Sequence, residues 1–126
     1  KKVELYTRIS GHGSAGGTQC AEFCTFTHQF TINQTPFAHT YEMEPNSSLC
    51  ADRVEEGVTP NQGGTWFYDR SSWCPGFVIE EWREDITAAT LVGEANTVQY
   101  ASGLGTDLGT MGGGNMDMRV ELVYYR

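Results

Sequence analysis

The chain has 126 residues, and its 16 acidic and 8 basic side chains give a formal net charge of -8 at pH 7. This charge argues against nucleic acid as a partner, because affinity for a phosphate backbone comes largely from lysine and arginine. No apolar run approaches the roughly 18 residues that a membrane helix needs, so we expect no membrane span. The length fits one domain, 1–126, and because the sequence starts at Lys1 we expect it to be a piece of a longer product.

Apolar and polar residues alternate along four segments of the chain, which predicts β-strands with one buried face. The segments are 3–9, 26–32, 37–43 and 118–124, and shorter strand candidates lie at 78–82 and 97–101. Glycines crowd into 11–17 and 103–114, where they break any helical period. We expect the second of these tracts to be a long flexible loop. Many short strands joined by glycine-rich loops predict an all-β fold, an antiparallel sandwich or jelly roll.

Residues 33–36 separate two of the alternating segments, which predicts a β-hairpin with a four-residue loop. The resulting register sets Phe30 opposite His39 and His28 opposite Tyr41, so the two histidines lie diagonally on one sheet face. Imidazoles at that separation can share a copper or zinc ion. Histidines among aromatic residues are also common as hydrogen-bonded core residues, and we expect no metal here. Any thioether ligand would come from Met111, Met116 or Met118.

Four cysteines occur at positions 20, 24, 50 and 74, and an even count in a small acidic chain favours disulfides formed in an oxidising compartment. We therefore expect a secreted, extracellular or periplasmic protein. Zinc is the alternative, but the spacings of 3, 25 and 23 intervening residues lack the paired C-x2-C knuckles of zinc sites. Two sequons, at Asn33 and Asn46, are candidate glycosylation sites and fit secretion.

The segment Cys20-Ala21-Glu22-Phe23-Cys24 holds an acidic side chain between two closely spaced cysteines. If these cysteines pair with each other, the loop is so short that the bond contributes little chain entropy. Its use would be to fix the backbone and aim Glu22 at a ligand. The alternative is a surface loop with a solvated glutamate.

Residues 66–76 read Trp-Phe-Tyr-Asp-Arg-Ser-Ser-Trp-Cys-Pro-Gly and combine four aromatic rings with charged side chains. Such rings stack on sugar rings, and Asp69 and Arg70 could hydrogen-bond sugar hydroxyls. The alternative places Trp66 and Trp73 in the core and pairs Asp69 with Arg70.

Residues 11–16 match the G-x-G-x-x-G pattern of dinucleotide-binding loops. That pattern works at the start of a helix, whereas here it leads into a cysteine-flanked loop and another predicted strand. The glycine tract 103–114 contains no lysine that could bind phosphate. We therefore expect no cofactor.

These motifs resemble, in order and spacing, the C-terminal domain of the bacterial peptide-N-glycosidase F family. The principal matching segments are Thr7-Arg8-Ile9-Ser10-Gly11, Cys20-Ala21-Glu22-Phe23-Cys24 and Asp69-Arg70-Ser71-Ser72-Trp73-Cys74-Pro75-Gly76. The close match covers about residues 5–77, with a looser β-rich match to the end. In that family two jelly-roll domains of the peptidylglycine-monooxygenase type pack side by side. The amidase removes N-linked glycans from asparagine in the cleft between them.

The resemblance implies an antiparallel jelly-roll β-sandwich with disulfides Cys20–Cys24 and Cys50–Cys74. It gives Glu22 an auxiliary catalytic role at the substrate cleft and places an arginine, Arg70, in the same cleft. The substrate-binding residues that we infer are Glu22, Asp69, Arg70, Trp73 and His12.

This sequence also departs from the family pattern. His12 and Phe23 stand where the family has cleft tryptophans. The family's essential aspartate lies in the other jelly roll, which this chain does not include. We expect the first strands of the present domain to be missing as well.

Three functions are compatible with these observations. The first is an extracellular module that binds an N-linked glycan or glycoprotein as part of an amidase, without catalysis by the isolated chain. The second is a structural or adhesive module that self-associates or binds a missing companion domain, because an incomplete sheet exposes an unpaired edge. The third is half of a copper-dependent monooxygenase, suggested by the fold kinship and by His28 and His39, although the sequence has no H-x-H pair.

Overall fold

The structure is a computed structural model that describes residues 1–13, 20–42, 48–61, 63–105, 107–109 and 114–126. Its strands are β1 (Lys2–His12), β2 (Phe26–Ile32), β3 (Thr35–Tyr41), β4 (Glu81–Asp85), β5 (Val98–Leu104), β6 (Asp107–Leu108) and β7 (Asn115–Tyr125). Helix in the described residues comprises α1 (Leu49–Asp52) and two 3-10 turns, Val54–Glu56 and Thr87–Ala89.

The strands form two antiparallel sheets. The first sheet has the order β4-β1-β7, and the second has the order β3-β2-β5-β6. The predicted all-β, disulfide-bonded antiparallel sandwich is confirmed. In the described ranges, no helix is long and apolar enough to cross a membrane.

The hydrophobic core lies between the two sheets. β1 contributes Val3, Leu5 and Ile9, which alternate with less buried residues, and β2 contributes Phe30 and Ile32. Burying each such side chain contributes roughly 1.5–3 kcal/mol relative to leaving it exposed. The period of two in these segments therefore determines which face of each strand packs inward.

The C-terminal half of β1 is buried on both faces, because loops cover its outer side. Ile9, Ser10 and Gly11 are consecutive buried residues. A Cβ on Gly11 would lie 1.9 Å from the backbone oxygen of Ala21, so only glycine allows that loop to approach so closely. The Ser72 hydroxyl donates a hydrogen bond to the backbone oxygen of Ile9. The loop that contains Ala21 and the loop that contains Ser72 therefore both pack against this end of β1.

A second, smaller cluster stabilises the long connection between β3 and β4. It contains the buried disulfide Cys50–Cys74 and Val58, with Trp66 and Phe77 packed against it. A crosslink closing a loop of this length contributes about 3–4 kcal/mol. It fixes one end of the segment that carries Asp69 to Trp73.

The predicted four-residue loop between β2 and β3 is wrong. The turn consists of Asn33 and Gln34, with φ of 47° and 75°, the left-handed pair that a two-residue hairpin turn requires. The register therefore sets His28 directly opposite His39, not diagonal to it. Because the shift from the predicted register is an even number of residues, every side chain keeps its predicted face.

Strand β7 forms where the alternation predicts it, but its apolar side chains are not buried. Met118, Val120, Leu122 and Tyr124 lie opposite inward-facing residues of β1 yet are between 38% and 63% exposed. The sheet face that is buried at β1 therefore continues onto β7, and there none of the described residues covers it.

Three other strand expectations are corrected. The candidate at 78–82 is realised as Glu81–Asp85, because the preceding residue, Glu80, bonds its N–H to Ser72 instead of joining a sheet. The candidate at 97–101 extends to Leu104. The tract 103–114 was expected to be a loop, yet it contains the tight β5–β6 hairpin, in which Gly103 pairs with Leu108. Four predicted features, Met43, Asn46, Met111 and the stretch 14–16 of the glycine motif, lie outside the described residues.

Candidate functional site

The loop that carries Glu22 is fixed by a disulfide and by two backbone hydrogen bonds. Its ends are joined by the disulfide Cys20–Cys24, and within it the Phe23 N–H donates to the Cys20 oxygen at 2.9 Å. The Glu22 N–H donates to the Gly13 oxygen at 3.3 Å. The short disulfide loop therefore fixes where the Glu22 carboxylate lies, as the spacing of the cysteines predicts.

The Glu22 carboxylate is paired with Arg70. Arg70 Nε donates to Glu22 Oε1 at 2.8 Å, and the Gly13 N–H lies 3.4 Å from Glu22 Oε2. The Arg70 side chain is 0% exposed, whereas the Glu22 side chain is 15% exposed. The carboxylate therefore reaches solvent at one side while the guanidinium lies beneath it.

Every N–H of the Arg70 guanidinium has an acceptor. Besides Glu22, the acceptors are the backbone oxygens of Trp66 and Tyr68 at 3.1 Å each and the Thr65 oxygen at 2.8 Å, with Thr65 Oγ1 at 3.4 Å. Five donors in a planar fork suit such a set of fixed acceptors. Arg70 consequently joins the loop 65–68 to the Glu22 loop.

Aromatic rings flank the guanidinium. Its carbon lies 5.0 Å from the ring centre of Phe23 and 5.0 Å from that of Trp73, both within cation–π distance. Trp73 is itself anchored, because its indole N–H donates to the Gly11 oxygen at 3.0 Å. Its ring centre lies 4.9 Å from that of His12.

His12 extends this aromatic group toward β7. Its Nε2 is 2.9 Å from the hydroxyl of Ser10, and the same nitrogen is 3.7 Å from a carboxylate oxygen of Asp117. A serine–histidine–aspartate relay needs the two partners on different ring nitrogens. Since both partners here approach Nε2, the contacts position the ring and do not form such a relay.

The structure thus brings together Glu22, Arg70, Trp73 and His12, which the sequence placed in one site. Asp69 is buried beside Arg70 in the chain, but the ion pair of Arg70 is with Glu22 and not with its neighbour. Trp66 packs against the Cys50–Cys74 cluster, in line with its core alternative. We call Glu22, Phe23, Arg70, Trp73 and His12 together the Glu22 cluster.

Two supporting residues were not predicted from the sequence. Ser10 shares a strand face with His12 at a separation of two, so the alternation along β1 could have indicated their contact. Thr65 acts through its backbone oxygen, and backbone contacts of this kind leave no signal in the residue type.

The histidine pair, His28 on β2 and His39 on β3, packs among aromatic side chains. His28 Nδ1 is 2.7 Å from the Tyr100 hydroxyl, and His39 stacks on Trp82 with ring centres 5.3 Å apart. Burial, together with a smaller contribution from the nearby His39, lowers the pKa of His28 to about 4. The described residues contain no group of three or more histidine, cysteine, aspartate or glutamate side chains that could hold a metal.

Asn33, a candidate glycosylation site, is engaged in the β2–β3 turn. Its side-chain nitrogen donates to the Ala89 oxygen at 2.9 Å and to Asn96 Oδ1 at 2.6 Å, and its oxygen accepts from the Thr97 N–H at 2.8 Å. A glycan on that nitrogen would replace one of the two donated bonds.

Comparison with known proteins decides the family. The sequence profile described as "Peptide-N-glycosidase F, C terminal" matches residues 1–122. The chain belongs to this family. The predicted resemblance is confirmed, and the match includes every residue of the Glu22 cluster.

Relatives of the peptide-N-glycosidase F C-terminal family support this assignment. The peptide-N(4)-(N-acetyl-β-D-glucosaminyl)asparagine amidase F of Elizabethkingia miricola is 32% identical over 117 residues, which cover 89% of this chain and 31% of the relative. A structure of recombinant peptide:N-glycanase F superposes with a TM-score of 0.63 at 27% identity, covering 97% of this chain and 38% of that one. A structure of PNGase F, a glycosylasparaginase from Flavobacterium meningosepticum, superposes with a TM-score of 0.62 at 26% identity, again covering 97% of this chain and 38% of that one. The chain therefore spans only about a third of the length of these relatives.

Proposed function

We propose that this chain is a glycan-handling module, which binds the sugar of an N-linked glycan or glycoprotein at the Glu22 cluster. The observation that carries the proposal is the Glu22–Arg70 pair, in which a buried guanidinium holds a partly exposed carboxylate among aromatic rings. A carboxylate accepts hydrogen bonds from sugar hydroxyls, and aromatic faces pack on sugar rings. The relatives' names, which specify an N-acetyl-β-D-glucosaminyl asparagine bond, indicate the class of sugar.

In this proposal the residues of the cluster have different roles. Glu22 touches the ligand through the carboxylate oxygen that Arg70 leaves accessible. Arg70 is a positioning residue, because all of its donors are already used within the protein. Trp73 and His12 offer ring faces, and His12 also offers a polar edge where the family has a tryptophan. Asp69 remains a predicted ligand residue beside them.

We further propose that the chain alone does not hydrolyse the glycan–asparagine amide. Amide hydrolysis needs a positioned acid or base at the scissile bond. Glu22 is a single carboxylate engaged by a guanidinium, and the family resemblance puts the essential aspartate in a companion domain. The auxiliary catalytic role of Glu22 therefore depends on that companion. The two disulfides support a secreted, extracellular or periplasmic location.

Binding of the chitobiose disaccharide, monitored by NMR titration of the chain, tests the proposal. Glu22→Gln keeps the shape of the side chain but removes its charge, and we expect at least about tenfold weaker binding. Glu121→Gln on β7 is the matched control and should leave binding unchanged. Incubation with a denatured glycoprotein should release no glycan. If chitobiose moves no resonance of the cluster, the binding role is wrong, and efficient glycan release would contradict the non-catalytic assignment.

A specific observation also favours a second function, assembly. β7 is an edge strand whose second edge is unpaired among the described residues, and its apolar face continues the core face of β1. Such a strand is a template for pairing with another chain. We propose that a second copy of this chain covers it. Light scattering should show a dimer or larger assembly, and Val120→Lys should return the chain to a monomer. A monomer at all concentrations would exclude self-association.

A further inference from the structure

The edge strands of the two sheets differ in how well they are protected against pairing with another chain. Among the described residues the edges are β4 and β7 in one sheet and β3 and β6 in the other. β4 has five residues, four of them charged, β6 has two residues, and β3 contains Pro36, which has no N–H to donate. β7 has eleven residues and no proline, and its register with β1 is continuous. β7 is therefore the edge most open to a further strand.

The side chains of β7 alternate between an apolar and a polar face. The polar face carries Asp117, Arg119 and Glu121, and the apolar face carries Met116, Met118, Val120, Leu122 and Tyr124. Facing residues of two antiparallel strands point to the same side of the sheet. The apolar face therefore continues onto an added strand only if that strand sets apolar side chains opposite the even-numbered residues of β7.

A second copy of β7 meets this requirement along its whole length. Val120 is the middle residue of Asn115–Tyr125, so a two-fold axis perpendicular to the sheet at Val120 pairs all eleven residues with those of the copy. Val120 then faces Val120 of the copy, and Met118 faces Leu122. Facing side chains in such a pair have Cβ atoms about 4.5–5.5 Å apart, so these apolar residues contact one another.

Charges on the polar face favour the same register. With the axis at Val120, Arg119 of each copy faces Glu121 of the other. Moving the axis by one residue also keeps the apolar faces together, but it sets Arg119 opposite Arg119 or Glu121 opposite Glu121. Facing opposite charges stabilise an antiparallel pair, and facing like charges destabilise it. Within one chain these two side chains bond each other at the surface, 69% and 44% exposed, so a second chain can reach both.

Two other positions of the axis avoid facing like charges, but each pairs less of the strand. An axis at Met118 sets Asp117 opposite Arg119 and carries residues 122–125 past the end of β7. An axis at Leu122 forms no ion pair, because Arg119 then faces Tyr125 and Glu121 faces Val123. The register centred on Val120 is therefore the one that combines full pairing, matched apolar faces and matched charges.

We propose that two copies of the chain pair β7 with β7 in this register and form a six-stranded sheet of order β4-β1-β7-β7-β1-β4. This inference rests on the assembly function proposed above, and it specifies the symmetry and the facing residues of that assembly. The contact uses the open edge of β7 in both copies, so it closes as a dimer and does not continue into a filament.

Charge reversal in the full chain, followed by sedimentation equilibrium, tests the register. The parent should be a dimer, and Arg119→Glu and Glu121→Arg should each weaken dimerisation at least about tenfold, because like charges then face each other twice. An equimolar mixture of the two variants should restore dimers, because every facing pair is then of opposite charge. Arg83→Glu is the matched control on β4, where the reversed side chain is also exposed, and it should remain a dimer.

Crosslinking locates the two-fold axis independently of charge. Val120→Cys sets two thiols opposite each other, and oxidised glutathione should join them in an intermolecular disulfide. Leu122→Cys is the control, because its two thiols lie four positions apart along the paired strands, too far for a disulfide.

The outcomes separate the register from assembly itself. A parent chain that stays monomeric at millimolar concentration overturns both this inference and the assembly function. The register alone is overturned if the parent dimerises but the mixture of charge variants does not restore dimers. Crosslinking of Leu122→Cys in preference to Val120→Cys also overturns it.

Discussion

Replacing Arg70 with methionine removes the guanidinium while keeping most of the apolar length of the side chain. The substitution deletes bonds to Glu22 and to the backbone oxygens of Thr65, Trp66 and Tyr68, in a side chain that is 0% exposed. Removing one partner of a buried ion pair typically costs about 3–5 kcal/mol. Here the loss comes from the Glu22 carboxylate and, for the larger part, from the three backbone oxygens, which all lose their donors. We expect Arg70→Met to lower the free energy of unfolding by that amount and the melting temperature by roughly 10–20 °C.

Urea denaturation under non-reducing conditions, followed by tryptophan fluorescence and circular dichroism, measures this loss. Arg119→Met is the matched control, because Arg119 pairs with Glu121 at the surface with its side chain 69% exposed. Removing an exposed pair of this kind should cost no more than about 0.5 kcal/mol. A cycle with Glu22→Gln isolates the interaction between the two charges.

The coupling between Arg70 and Glu22 should be a minority of the total loss, since most of the bonds of Arg70 go to backbone oxygens. The reasoning is refuted if Arg70→Met costs less than about 1 kcal/mol. It is also refuted if the double variant recovers the stability of the parent, because the backbone contacts would then contribute nothing.

Three further predictions concern the Cys50–Cys74 disulfide, Gly11 and His28. Replacing both Cys50 and Cys74 with alanine should cost about 3–4 kcal/mol in urea denaturation, from the loop that this bond closes. Gly11→Ala should cost about 3 kcal/mol and weaken chitobiose binding, because its Cβ would overlap the Ala21 oxygen; unchanged binding would show that the loop is not needed in this position. Burial lowers the His28 pKa from 6.5 to about 4, so as the pH falls the unfolded chain binds a proton before the folded chain does. The free energy of unfolding should therefore decrease as the pH is lowered from 6.5 to about 4. His28→Gln should flatten this decline in melting temperature, and an equal slope in both proteins would contradict the assignment.

The alternation of residues predicted the faces of the strands better than it predicted their partners. β1 and β2 bury the side chains that their period of two selects. The hairpin register was wrong because Asn33 and Gln34 adopt left-handed backbone conformations without a glycine, so the usual signal of a two-residue turn is missing. Along β7 the pattern identified an apolar face, but a pattern within one strand carries no information about what covers it.

The site was predictable in its residues more than in its contacts. The motif around Glu22 and the motif around Arg70 could each be seen in the sequence, and the family resemblance placed them in one cleft. Glu22 and Arg70 are 48 residues apart in the sequence, so the spacing of residues within either motif could not predict that they pair. The tight approach of the loop to Gly11 depends on two backbones meeting, and residue types show that only indirectly.

The Arg70 guanidinium has a practical consequence for spectroscopy. Guanidinium groups on protein surfaces rotate freely and exchange their protons with water. In Arg70, by contrast, each nitrogen donates to an acceptor within the protein, and the side chain is shielded from solvent. Exchange of such protons requires local opening of the surrounding structure. The side-chain protons of Arg70 should therefore persist in deuterated solvent, and their lifetime would report how often the loops around Glu22 separate.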